Sequence, residues 1–230
     1  MALSDKRILE EKKKGDIIIE PFNRKNLNSS SYDVTLGEYL FREKSGNELS
    51  PVYNMYNKKH TDRVWGTEAE KAITAKSAFK DIDFEWIGIS PTDKVILIHP
   101  GETILAHTNE YIGGQNHITT SMQARSTMGR NFIEVCKCAG WGDVGYINRW
   151  TMEITNNSNN QIIPLVVGRR IAQLVFIETG EILGSTYGSD ESHKEGTGNY
   201  QVGGDVKTLK KNWHPTSMLP KAYTDRDIKK

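Results

Sequence analysis

The stretch Gln123-Ala-Arg-Ser-Thr-Met-Gly-Arg-Asn-Phe-Ile-Glu-Val-Cys-Lys-Cys-Ala-Gly-Trp-Gly-Asp-Val-Gly-Tyr-Ile-Asn-Arg-Trp-Thr-Met-Glu153 decides how the rest of the chain is read. Its opening offers Arg125, Ser126, Thr127 and Arg130, guanidinium forks and hydroxyls that suit a planar or tetrahedral oxyanion such as phosphate. Its middle, Ala139 to Tyr146, brackets Asp143 with glycines that permit a tight turn and close backbone approach to a ligand. Its end alternates: a strand over 149–155 puts Trp150, Met152 and Ile154 on one face and Thr151, Glu153 and Thr155 on the other. Taken singly, each piece has an ordinary explanation, namely an arginine in an exposed turn, a solvated Asp, or a strand Glu pointing at water. Their order and spacing are harder to explain that way.

Working outward, short apolar or alternating runs recur between turn signals: 95–98, 103–108, 117–122, 131–138, 149–155, 161–167 and 170–177. Many short strands at near-regular spacing predict an antiparallel barrel or sandwich. Before them, Ser4 or Asp5 caps a short helix that Gly15 stops, and 17–19 reads as a strand. The segment 44–80 is polar and turn-rich and reads as an excursion from the sheet, with a short helical turn over 67–72. After Gly180 the chain is polar and glycine-rich, and 189–230 is expected to be a flexible tail whose Trp213 and Met218 need a surface to pack on.

Thirty Lys and Arg against twenty-nine Asp and Glu leave a formal charge of +1, so no global field favours a nucleic-acid polymer. A small anionic metabolite held by a local cluster fits better. No apolar run approaches eighteen residues and no leader pattern is present, so a soluble cytoplasmic protein without membrane contact is expected. The two cysteines, Cys136 and Cys138, would share one face of a strand, an awkward spacing for a disulfide. His99 and His107 lack a second-ligand pattern, and the Pro-Cys-x-x-Cys that zinc deaminases pair with a His-x-Glu is absent. No metal ligands, and no zinc, are expected.

The succession of Arg125-Ser-Thr-Met-Gly-Arg130, Ala139-Gly-Trp-Gly-Asp-Val-Gly-Tyr146, Thr151-Met-Glu153 and Gly168-Arg-Arg-Ile-Ala-Gln-Leu-Val-Phe176 resembles the dCTP deaminase branch of the dUTPase-like trimeric nucleotidohydrolases. Leu3-Ser4-Asp5, Pro21-Phe22 and Ser31-Tyr32-Asp33 add to the likeness, which covers about residues 1–40 and 90–203. The resemblance implies a mainly β, distorted jelly-roll or β-clip domain over 1–188 with an insertion at about 44–80. It also implies a homotrimer with sites between subunits, and Mg²⁺ carried by the nucleotide triphosphate.

By the same resemblance Glu153 shuttles protons, Ser126 and the carbonyl of Ala139 hold the attacking water, and Arg130 supports charge beside the pyrimidine. Arg125, Thr127 and Gln173 meet the phosphates, Asp143 and Tyr146 the deoxyribose, and Tyr200 anchors a C-terminal lid. The implied reaction is deamination of dCTP to dUTP and ammonia. Alternatives are a dUTPase, a bifunctional enzyme yielding dUMP and pyrophosphate, or an inactive nucleotide-binding regulator. The ligands would be nucleotides of the dCTP, dUTP or dTTP type. The chain departs from the family pattern where Cys136-Lys137-Cys138-Ala139 replaces His-x-Thr-Ala. It departs again where Asn199-Tyr200-Gln201-Val202-Gly203 replaces a Lys-Tyr-x-x-Gln lid.

Overall fold

The structure is a computed structural model that describes residues 1–44, 51–80, 82–194, 198–201, 203, 205–225 and 228. Helix α1 (Asp5–Lys14) forms as its caps dictate. The Ser4 hydroxyl accepts the Arg7 N–H, and Gly15, at φ 92°, donates its N–H to the last carbonyls.

The strands are β1 (Ile17–Glu20), β2 (Tyr32–Arg42), β3 (Glu70–Lys71), β4 (Ile73–Thr74), β5 (Lys94–Ile98), β6 (Thr103–Gly114), β7 (Ile118–Ala124), β8 (Ile133–Val135), β9 (Trp141–Gly142), β10 (Ile147–Asn156), β11 (Ile163–Val166) and β12 (Arg170–Glu178). Short helices fill the connections: α2 (Lys58–Trp65), α3 (Ala75–Ala78), α4 (Phe84–Ile87), α5 (Ser126–Arg130), α6 (Asp190–Lys194) and α7 (Val206–Asn212). One sheet runs β8-β10-β6-β2-β12-β7-β9, with β1 also on β6 and β3 also on β2, and a small sheet runs β11-β5-β4. The named pairings are antiparallel. Register shifts at 149/151 in β10, 170/172 in β12 and 36/40 in β2 bend the large sheet, since an unpaired residue adds local twist.

The alternation expected in β10 is present. Trp150, Met152 and Ile154 are buried in the main core with Ile104, Ala106, Leu174 and Phe176, while Thr151 and Glu153 are half-buried on the other face. Thr155 is buried as well, because its hydroxyl pairs with that of Thr103 on β6 at 2.8 Å. Burying each large apolar side chain contributes about 1.5–3 kcal/mol, which fixes the register of β10 and hence the side on which Glu153 emerges.

Several local expectations change. Strand β2 begins at Tyr32 and Asp33, both buried, for which no strand was expected. The strand at 131–138 shrinks to β8, because Cys136, Lys137 and Cys138 take left-handed φ values of 68°, 35° and 66°. Those angles put Cys136 inside and Cys138 outside rather than on one face. Within 44–80 the helices are α2 and α3, whereas 67–72 contains β3; residues 45–50 of that segment lie outside the described residues. In the tail, Met218 packs on Phe41 and Leu105. Trp213 packs against His107 at a tilt, with centroids 4.8 Å apart, and lies under the Arg149 guanidinium. Residues 195–197, 202, 204, 226, 227, 229 and 230 of the tail lie outside the described residues. Among the described residues no helix is long and apolar enough to cross a membrane.

Candidate active site

A cavity of about 580 Å³ opens on the polar face of β10. It is lined by Glu153, Ala139, Asp143, Tyr146 and Tyr200, five of the residues singled out from the sequence, together with the rings of Trp141, Trp150 and Tyr187. Burial raises the Glu153 carboxyl above its ordinary pKa, and the positive charge of Lys137 offsets this only in part. A carboxyl that ionises reluctantly both takes and returns a proton near neutral pH more readily than an exposed one.

The glycine turn builds the adjoining wall. A Cβ at Gly142 would meet Trp150 Cη2 and Thr120 Oγ1 at 2.5 Å, so glycine is what lets β9 lie against that indole. The Tyr146 N–H donates to the Asp143 carbonyl at 2.9 Å, and the Trp141 indole N–H donates to Asp143 Oδ1 at 3.1 Å, aiming that carboxylate. Tyr146 packs edge-on against Trp150 and Tyr187 at 4.9 and 5.0 Å; its burial pushes the phenol pKa up, so it stays a neutral hydroxyl. From the tail, Gln201 accepts the Ile147 N–H at 2.7 Å and donates to the Gly145 carbonyl at 2.9 Å, fastening Tyr200 over the turn.

The remaining candidates, Arg125, Ser126, Thr127, Arg130 and Gln173, do not line this cavity. Arg125 and Gln173 belong instead to a second patch, around Asp33. Asp33, 2% exposed, pairs with Arg125 Nε at 3.3 Å and Arg170 Nη1 at 3.1 Å, and accepts from Asn28 at 2.9 Å. Gln173 sits between them in register, opposite Asp33 on β2 and Gln123 on β7. Helix α5 follows Arg125 directly and carries Ser126, Thr127 and Arg130.

Sequence reasoning missed Asp33, a buried carboxylate that orients two arginines, because both lie far along the chain. It also missed Lys137, which lines the cavity, and Glu43, just before the excursion, and Trp65, at the end of α2 within it, which line the cavity too. Between the cavity-lining Lys137 and Ala139, Cys138 faces away and with Cys136 lines a neighbouring groove alongside Gln123 and Glu134, and the Cys136 thiol, raised in pKa by burial, contacts Met122 Sδ at 3.1 Å. The left-handed turn accounts for this division, with Lys137 at the cavity and Cys138 at the groove.

Among curated proteins, the chain is 36% identical over 185 residues to a "dCTP deaminase, dUMP-forming" of Hydrogenobaculum, covering 79% of this chain and 85% of that one. It is 30% identical over 203 residues to the protein of the same name from Nanoarchaeum equitans, covering 87% and 92%. In fold it is similar to the 2'-deoxycytidine 5'-triphosphate deaminase of Agrobacterium tumefaciens, with a TM-score of 0.52 at 16% identity over 85% of this chain and 53% of that one. That likeness bears on architecture alone and agrees with the mainly β, distorted jelly-roll reading. A dCTP deaminase-like domain profile matches residues 2–179, and the chain belongs to that family.

Proposed function

We propose that this chain deaminates dCTP and carries the product through to dUMP, with dCTP and two waters giving ammonia, dUMP and pyrophosphate. The observation that carries the chemistry is Glu153, a half-buried carboxyl with a raised pKa at the edge of an aromatic cavity. Ionised, Glu153 accepts a proton from water adding at cytosine C4 and delivers it to N3. The same carboxylate then takes the proton of the C4 hydroxyl and passes it to the amine, so that the C4=O bond forms as the C4–N bond breaks and ammonia leaves. The Ala139 carbonyl fixes the water from one side, and Tyr146 and Asp143 hold the deoxyribose. The dUMP-forming names of the relatives favour this product over release of dUTP, and the retained Asp143 keeps a second carboxylate in the cavity.

Ser126, Arg130, Arg125, Thr127 and Gln173 complete the site from a neighbouring copy in a homotrimer. What supports this is the division within one chain: Glu153, Ala139, Asp143 and Tyr146 line the cavity, while Arg125, Ser126, Thr127, Arg130 and Gln173 lie outside its lining, with Arg125 held by Asp33. Mg²⁺ arrives with the triphosphate as part of the substrate, and zinc takes no part in the chemistry. The tail after Gly188 covers the nucleotide. Lys221 stands in for the missing lid lysine, its ammonium donating to the Asn199 carbonyl at 2.7 Å and lying 5.2 Å from the Tyr200 ring centroid.

Incubation with dCTP and Mg²⁺, following ammonia, dUTP, dUMP and pyrophosphate separately, tests the reading. Equal ammonia and dUMP with little dUTP is expected. Accumulating dUTP without dUMP would reduce the activity to deamination alone, and binding without ammonia would make the chain a regulator.

A further inference from the structure

Helix α1 and the β6–β7 turn meet at side chains that the chemistry above does not use. Glu11, near the end of α1, is fully buried, and its two oxygens differ. Oε1 takes Arg7 Nη2 at 2.8 Å and Lys14 Nζ at 2.9 Å. Oε2 is buried with no hydrogen-bond partner and faces His117 Nε2 at 3.5 Å. Asp16 follows the left-handed Gly15, and its N–H is bound to the Glu11 carbonyl at 2.9 Å. On the other side, Asn116 at φ 61° donates to Asp16 Oδ1, and Gln115 donates to the Gly15 carbonyl at 2.7 Å. These contacts hold the two turns together, so one ligand atom each of Glu11, Asp16 and His117 lies within 4.8 Å of the others.

We propose that Glu11, Asp16 and His117 form a binding site for a divalent first-row transition ion, for which Zn²⁺ is the probe, pinning α1 to the β6–β7 turn away from the nucleotide cavity. A buried carboxylate oxygen that lacks any donor is costly, and a cation supplies what the fold leaves out. The charges agree. Arg7 and Lys14 both meet Glu11 at Oε1, and Arg7 is shared with Glu10 and Glu178, so the Oε2 side of Glu11 faces the Asp16 carboxylate and His117, a place for a cation.

The distances agree too, because metal–ligand bonds of about 2.0–2.2 Å place tetrahedral ligand atoms roughly 3.3–3.6 Å apart, as Glu11 Oε2 and His117 Nε2 already are. Asp16 closes the set by a small rotation. The imidazole nitrogen favours a transition ion over Mg²⁺, and the partly exposed His117 side chain gives it a route in from solvent. The donors come from positions 11, 16 and 117, too scattered for any ligand-spacing pattern to appear in the sequence.

The test is titration of the metal-stripped full chain with Zn²⁺, by calorimetry and by thermal melting. The expected result is one equivalent per chain. At free Zn²⁺ about 100-fold above Kd, Tm should rise by about 5 °C or more. His117→Ala and, separately, Asp16→Asn should each weaken binding at least tenfold, with dCTP turnover unchanged in both. Subtracting the His117→Ala isotherm removes any binding at the exposed Cys138 thiol. No uptake up to about 1 mM Zn²⁺, weaker than any structural site, would overturn the proposal. Affinity that neither substitution changes would overturn it as well; His117 would then be only an ion-pair partner of Glu11.

Discussion

Glu153 shows how a residue acquires its chemistry from its surroundings. Desolvation among the cavity rings pushes its pKa up, with Lys137 as the opposing charge. A group whose folded pKa lies above its unfolded value contributes stability below the unfolded value and loses it as pH rises through the folded one. At neutral pH the ionised carboxylate is therefore a cost to the fold. Glu153→Gln should lower deamination at least about a hundredfold, the usual worth of a positioned base. The same variant should melt no lower than wild type at pH 7.5, while nucleotide binding persists. In wild type the acid limb of kcat/KM should lie above the pKa of an ordinary carboxyl. Turnover within tenfold of wild type, checked by ammonia release, would remove Glu153 from its role.

At the scale of elements, β2, β6 and β10 meet around His107, which is fully buried. Its Nδ1–H donates to the Thr108 carbonyl at 2.8 Å and its Nε2 accepts the Tyr39 N–H at 3.3 Å, the pairing of a neutral ring. Burial, with the positive charge of Arg149 nearby, pushes its pKa down to about 4. The sign here is the reverse of that for Glu153: the stability that His107 lends is present above its unfolded pKa and is lost as pH falls toward 4. The full shift corresponds to about 3 kcal/mol. The decline in Tm between pH 7 and 4.5 should accordingly be shallower in His107→Gln than in wild type; parallel profiles would contradict this.

What the sequence made legible at this scale followed from local physics. The caps at Ser4 and Gly15, the alternation of Trp150, Met152 and Ile154, and the glycine turn around Asp143 are set by neighbours in the chain. Asp33 was not legible, because its role lies in distant Arg125 and Arg170. Nor was the turn over Cys136 to Cys138, where tertiary packing holds three non-glycine residues in left-handed backbone against their own preference.

Across the whole molecule, the tail ties the cavity to the sheet. It covers Phe41 and Leu105 with Met218, and Tyr111 and Ile147 with Leu209, while Tyr187 and Tyr200 line the cavity. Truncation after Gly188 should raise the Michaelis constant for dCTP and also lower Tm, since large apolar side chains lose about 1.5–3 kcal/mol each when uncovered. Full activity after truncation would show that the tail is no lid.

The larger question is whether the two patches of one chain serve two different sites. Glu153→Gln retains the guanidinium patch, and Arg130→Ala retains the acid–base half. If each site combines halves from adjacent copies, oligomers formed from equal amounts of these two inactive variants should regain dCTP deamination. Recovery should approach about a quarter of the wild-type rate for random closed assembly. Mixed oligomers, verified by native mass spectrometry, that release no more ammonia than either variant alone would contradict the shared site.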